Sequence, residues 1–339
     1  MIKTPSLPGH IRDFILKWIL SDDTIQHYAK QQNIFVKPLQ IDKSKNCISS
    51  IIARDNGRLK LSSPTLYVGF EPYIVGSHLD PERNGFSVQS ARGSAGDIPL
   101  GFGYDPIEGI TSRTQLLDRN ILITTCDRQE HCHYLPFIST HPSIIDSTEN
   151  IKKHSNINRR FKVGYMNRVK CNRREQMFNN LVYRFGVNQC HALGERCGTY
   201  PETLQHSNNP RSGQDCWYND KLHQLYSNYT FMIAMENTIS PGYITEKILN
   251  SFIAGAIPIY YGTDEIKDVF NTKAFIHVTD YKSIEDCAEY ISNMNNKEIL
   301  QMQSQHIFKK PLHDMFRETS EMYSNIRNDI ISMCNHERS

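Results

Sequence analysis

The 339-residue chain lacks any long apolar run; the best candidate, Phe252 to Tyr261, is ten residues long and contains glycine and proline. A membrane-spanning helix needs about 20 apolar residues, so none is expected. Met1 to Leu20 carries His10, Arg12, Asp13 and Lys17 through its apolar part, which is wrong for a signal peptide. A soluble, cytoplasmic chain is the expectation. Charge of one sign is lacking too: 38 Lys and Arg face 36 Asp and Glu, a net charge of +2. That near-balance argues against a nucleic-acid binder working by massed charge. No CxxC occurs, and the nine cysteines are an odd number whose spacings fit neither a disulfide framework nor a ribbon-type zinc site. Free thiols are expected. Cys126, His131, Cys132 and His133 form the one cluster to weigh as a metal site. Neighbouring residues on a strand point to opposite faces, so adjacent ligands would need a loop, and packing at a loop or strand end is the simpler reading. Repeats and low-complexity tracts are absent as well, which excludes solenoid architectures.

What is present describes a globular protein. Apolar residues make up 39% and charged residues 22%, and the length suggests two domains at about 150 residues each. In the first half, Pro64–Gly69 and Asn120–Thr125 read as buried strands. Between them, Asn84–Arg113 is rich in glycine and proline and reads as a long, functional loop. The polar stretch 139–158 places a boundary near residue 150. Beyond it strands alternate with helices: strands at Phe161–Tyr165, Val187–Ala192, Thr230–Met235, Ile257–Tyr261 and Ala274–Val278. Helices are expected at Cys171–Phe185, Trp217–Tyr226, Tyr243–Gly255, Ser283–Asn293 and Lys297–His306. This alternation predicts a mostly parallel sheet covered on both faces, its ligand crevice beyond the carboxyl ends of the strands. The expected organisation is a first α/β domain over 1–150, a second over 151–310, and an amphipathic C-terminal segment, 311–339, packing back on the first.

The most informative stretch is Thr230–Gly262, TFMIAMENTISPGYITEKILNSFIAGAIPIYYG. A buried strand delivers Glu236 and Asn237 at its carboxyl end, and a short loop turns the chain into a helix. Ile244, Ile248 and Phe252 supply the buried stripe, with Tyr243, Lys247 and Asn250 on another face and Glu246 beside them. A lysine in the first helical turn opposes the helix dipole, which makes sense if an anion such as a phosphate is also held there. The competing reading is that Lys247 offsets Glu246 on a solvated face. Tyr243 reads equally as core, Asn237 as a loop cap, Glu236 as an organiser of the turn and Arg174, beside Arg173, as an ordinary surface residue.

Asn237-x5-Tyr243-x2-Glu246-Lys247, followed by Ile257-Pro258-Ile259-Tyr260-Tyr261-Gly262, resembles the donor-binding signature of the α1,3-fucosyltransferases, glycosyltransferase family 10. Phe161–Leu181 is similar to that family's strand followed by an arginine opening a helix, placing Asn167 and Arg174 on its asparagine and arginine. Leu193–Cys197 and Ser227–Asn237 resemble further family segments. Met166 and Met235 depart from the family's serine and aromatic. In the weaker-matching first half, Leu66–Pro72 (LYVGFEP) resembles the strand that carries the family's proposed catalytic base, which falls on Glu71. Cys126–Phe137 resembles a segment near the acceptor site, placing Arg128 and Glu130 by the cleft and arguing further against a metal there.

The resemblance implies a GT-B-like fold, two Rossmann-type α/β domains facing across a cleft. It implies an inverting transferase that moves L-fucose from GDP-fucose to a glycan hydroxyl. Glu71 and Glu246 are the expected catalytic residues. Asn167, Arg174, Asn237, Tyr243, Glu246 and Lys247 are the expected donor contacts. No metal ligand or cofactor is expected, a divalent metal being at most stimulatory. The rivals are the same machinery with another nucleotide sugar and a non-catalytic glycan- or nucleotide-binding relative.

Overall fold

The computed structural model describes residues 17–38, 65–70, 120–124, 133–136, 138, 159–166, 171–193, 220–236, 239 and 242–336. These residues form two all-parallel sheets. In the first, β1 (Phe35–Pro38), β2 (Thr65–Phe70), β3 (Asn120–Thr124) and β4 (His133–Tyr134) lie in sequential order. A helix the sequence reading did not anticipate, α1 (Asp23–Gln31), precedes them. The Asp22 carboxylate caps it, accepting from the Thr24 and Ile25 amides at 3.0 and 3.1 Å.

The second sheet contains β5 (Phe161–Tyr165), β6 (Cys190–Ala192), β7 (Tyr229–Ile233), β8 (Ile257–Tyr260) and β9 (Ile276–His277), in the order β6-β5-β7-β8-β9. Its crossovers are α2 (Asn172–Phe185), α3 (Asp220–Tyr226), α4 (Glu246–Ile253) and the short α5 (Ile266–Val269). After β9 come α6 (Ile284–Asn293) and α7 (Asn296–Gln303). The strands read as continuous apolar runs because helices cover both faces. Every residue of β6, β7, β8 and β9 is buried. Gly164 pairs with Met232, and a side chain there would overlap the Met232 sulfur and the Tyr229 ring, so glycine sets the closeness of β5 to β7. Arg159 closes the opposite end of this sheet, its guanidinium donating to the Ser227 and Ala254 carbonyls at 2.7 and 2.9 Å.

The long C-terminal helix, α8 (Leu312–His336), ties the molecule together. Tyr323, Ile326, Ile330 and Cys334 enter one core with Ile19, Ile25, Leu66, Val68, Ile121 and Ile123 of the first sheet and α1. About two turns earlier, Met315 joins the cluster beneath α4 in the second domain. The Tyr323 hydroxyl donates to Asp22 at 2.7 Å, and Arg327 lies 3.3 Å from the same carboxylate.

Burial at the first crossover has a pH consequence. His191 on β6 is 3% exposed, with Nδ1 3.1 Å from the Tyr229 hydroxyl. Burial, aided by the Arg160 charge, pushes its imidazole down to about 4. The unfolded chain therefore binds a proton near pH 6.5 that the folded chain refuses. Stability is fully present above pH 6.5 and is lost as pH falls towards 4, by at most about 1.4 kcal/mol per pH unit for this one group. Urea unfolding at pH 7.5, 6.0 and 5.0 is expected to show a steeper loss for the wild type than for His191→Gln.

Candidate functional site

In the order β6-β5-β7, the chain leaves β5 for a neighbour on one side and returns to β7 on the other. Open α/β sheets bind ligands beyond the carboxyl ends of strands at such a reversal, here those of β5 and β7. Two helices begin there. After β5, α2 starts behind Cys171 with Arg173 and Arg174 in its first turn; after β7, α4 starts behind Thr245 with Glu246 and Lys247 in its first turn. Neither Cys171 nor Thr245 makes a side-chain capping bond, whereas Asp22, Ser283 and Asn295 cap α1, α6 and α7. The first-turn amides of α2 and α4 thus donate no hydrogen bond to an N-cap side chain.

Thr245 forgoes capping because its hydroxyl serves Glu236. The Glu236 carboxylate accepts from the Thr245 amide at 2.8 Å and from its hydroxyl at 2.8 Å. Lys247 Nζ lies 3.0 Å from Glu236 Oε2, 2.7 Å from the Thr245 hydroxyl and 3.6 Å from Glu246 Oε1. Glu236 is fully buried along its side chain, while the Lys247 side chain keeps 22% exposure. Burial raises the Glu236 carboxyl above the ordinary carboxylate range, Lys247 opposing that shift and Glu246 adding to it. The organiser role that the sequence suggested for Glu236 is what the structure shows.

The helix carrying Lys247 begins three residues later than the sequence pattern suggests. Gly242 has φ +72, a left-handed conformation that breaks the helical path. Residues 243–245 then run as a loop held by Glu236. Tyr243 is 3% exposed and Ile244 4% exposed, so both pack inward. Asn250 was expected on a different face from the buried stripe. It is buried as well, its side-chain oxygen 3.0 Å from His223 Nε2, because α4 is sandwiched between neighbours on nearly every side.

Arg174 is not a helix-surface residue: it is 3% exposed. Its neighbour Arg173 is half-buried and lies over the Tyr261 ring at 4.8 Å, a cation–π contact that bridges α2 to the chain leaving β8. Arg174 thus stands in the first turn after β5, Glu246 and Lys247 in the first turn after β7, and Tyr243 in the loop leading into α4. Asn167, Asn237, Glu71, Arg128 and Glu130 lie outside the described residues, although β2 ends at Phe70, directly before Glu71. Met166 and Met235 pack into apolar clusters. Thr245 was missed by the sequence reading; a helix N-cap type nine residues after Glu236 was the available signal. Among the described residues no group of three or more His, Cys, Asp or Glu stands together as a metal site. Of the Cys126–His133 cluster only His133 is described, and it lies 2.9 Å from Asp329 on α8.

The family model for glycosyltransferase family 10 (fucosyltransferase), C-terminal part, matches residues 164–336. The chain belongs to this family. A putative fucosyltransferase of Acanthamoeba polyphaga mimivirus is 33% identical over 171 residues, 49% of this chain and 27% of the relative. An alpha-(1,3)-fucosyltransferase B of Drosophila melanogaster is 37% identical over 114 residues, 32% of this chain and 26% of the relative. The chain therefore spans about a quarter of the length of these curated relatives. A crystal structure of an alpha1,3-fucosyltransferase superposes with a TM-score of 0.57 at 14% identity, covering 94% of this chain and 87% of the other. The two share the GT-B fold. Among the described residues no helix is long and apolar enough to cross a membrane.

Proposed function

We propose that this family 10 chain is an inverting fucosyltransferase that moves L-fucose from GDP-fucose to a hydroxyl of a glycan acceptor. The observation that carries the reading is the pair of helix starts at the sheet's switch point. There Arg174 and Lys247 stand in first turns without side-chain caps, within the stretch that matches the family. A diphosphate suits that place: helix-terminal amides, a planar guanidinium and a lysine all favour negative charge.

In this reading the acceptor oxygen attacks the anomeric carbon of fucose from the face opposite the nucleotide. Its proton passes to the Glu71 carboxylate as the new glycosidic bond forms. The bond from the anomeric carbon to the phosphate oxygen breaks, and GDP leaves with the electron pair. Arg174, Lys247 and the helix amides hold the charge that develops on the diphosphate, so the reaction needs no metal or other cofactor. Glu246 faces the partly cationic sugar, Asn167, Asn237 and Tyr243 contact donor, and Arg128 and Glu130 line the acceptor side. Attack from the far face makes an α-fucoside from a β-linked donor.

Incubation with GDP-fucose on a glycan array, with NMR of the product linkage, tests this. Transfer giving an α-fucosyl product is expected. Transfer with retained configuration, or turnover of another nucleotide sugar in its place, would overturn the proposal.

A further inference from the structure

We infer that Tyr134 is a positioning residue for the donor loop, its hydroxyl holding the Gly242 carbonyl from the opposite domain; this rests on the donor-site reading above. Tyr134 ends β4, the edge strand of the first sheet, and donates to the Gly242 carbonyl at 3.1 Å across 108 residues of sequence. The same carbonyl accepts the Ile244 amide at 3.1 Å, so the bond falls on the turn that precedes Thr245, Glu246 and Lys247. Gly242 answers to two demands at once. Its φ of +72 disfavours a side chain, and a Cβ there would sit 2.5 Å from the Tyr134 hydroxyl oxygen.

The flanking residues make Tyr134 a rigid strut rather than a loose contact. His133 meets Asp329 of α8 at 2.9 Å, Leu135 is buried in the first domain's core, and Ile138 is buried among Ile244, Ile248 and Phe252 of the second. Residues 133–136 and 138 therefore contact both domains, and Tyr134 touches the loop that leads into Glu246 and Lys247. Donor affinity is thus set partly from the acceptor-side sheet: with the hydroxyl in place, the loop is already turned as α4 requires.

The test is GDP calorimetry with steady-state kinetics on wild type, Tyr134→Phe and, as a remote control, Tyr183→Phe, which alters an 88% exposed ring. Losing one neutral hydrogen bond to the loop should weaken GDP binding and raise the KM for GDP-fucose by about two- to tenfold. The thermal midpoint, kcat and acceptor KM should stay near wild type, and Tyr183→Phe should match wild type throughout. Unchanged GDP affinity in Tyr134→Phe, with or without a lowered thermal midpoint, would overturn the inference and leave the donor-site reading standing. Failure of the wild type itself to bind GDP would overturn both.

Discussion

Glu71→Gln is expected to fold normally and bind GDP-fucose with wild-type affinity while losing about 10² to 10⁴ in kcat. A sugar hydroxyl is a poor nucleophile at neutral pH, so the barrier includes removing its proton as the bond forms. Glu71 follows directly on β2, a parallel strand of the domain that carries the acceptor in this reading, and precedes Pro72. Parallel strands present functional residues at their carboxyl ends, and β2 ends at Phe70, the residue before Glu71 in the sequence. Glutamine keeps the shape and most hydrogen bonds of glutamate but accepts no proton, so the loss should fall on turnover alone. Asp80, Glu82, Glu108 and Glu130 are the competing carboxylates, and amide variants of each provide the comparison. A near-normal kcat in Glu71→Gln, with collapse in one of the others, would place the base elsewhere.

Lys247 should show two separable effects. In the structure it is the counterion of a carboxylate that has no exposure, so Lys247→Met leaves Glu236 buried without its cation. Breaking such a pair costs roughly 3 kcal/mol, on the order of 6–12 °C in thermal midpoint for a domain of this size. The loss carries a pH signature. Burial already raises the Glu236 carboxyl, and removing Lys247 removes the group that opposed this shift. A carboxyl raised in the folded state contributes stability below its unfolded pKa that is lost as pH rises through the folded one, so the variant should suffer more at pH 8 than at pH 5. Lys247→Met should also lower GDP affinity by about tenfold to a hundredfold through loss of a charged hydrogen bond to phosphate. Adding Glu236→Gln should restore much of the stability and none of the affinity. If the double variant recovers GDP binding as well, Lys247 serves the loop and not the donor.

The second domain was legible because its signals are local. Phe161–Tyr165 reads as a strand from five residues and is one, and the helix at 172–185 was expected within one residue. Boundaries moved where a backbone constraint or a distant partner intervened: Gly242 and Glu236 delay α4 to Glu246. The first domain was less legible because its stability is contributed from far away. α1 and β1 went unforeseen; their core is completed by Tyr323, Ile326 and Ile330, about 300 residues downstream. The residues in the first turns of α2 and α4 were readable from the sequence, but their surroundings were not. Nothing in the sequence shows that Arg174 is buried, or that Lys247 is already held by Glu236 and Thr245.

The most direct test of the account is calorimetry of GDP and UDP on the whole chain in EDTA. The switch-point site, with Arg174, Lys247 and two helix starts, should bind GDP without any divalent ion, and GDP more tightly than UDP. Arg174→Ala should weaken GDP binding by about tenfold or more. Binding of GDP that appears only when a divalent metal is restored, or no binding of GDP at all, would contradict it.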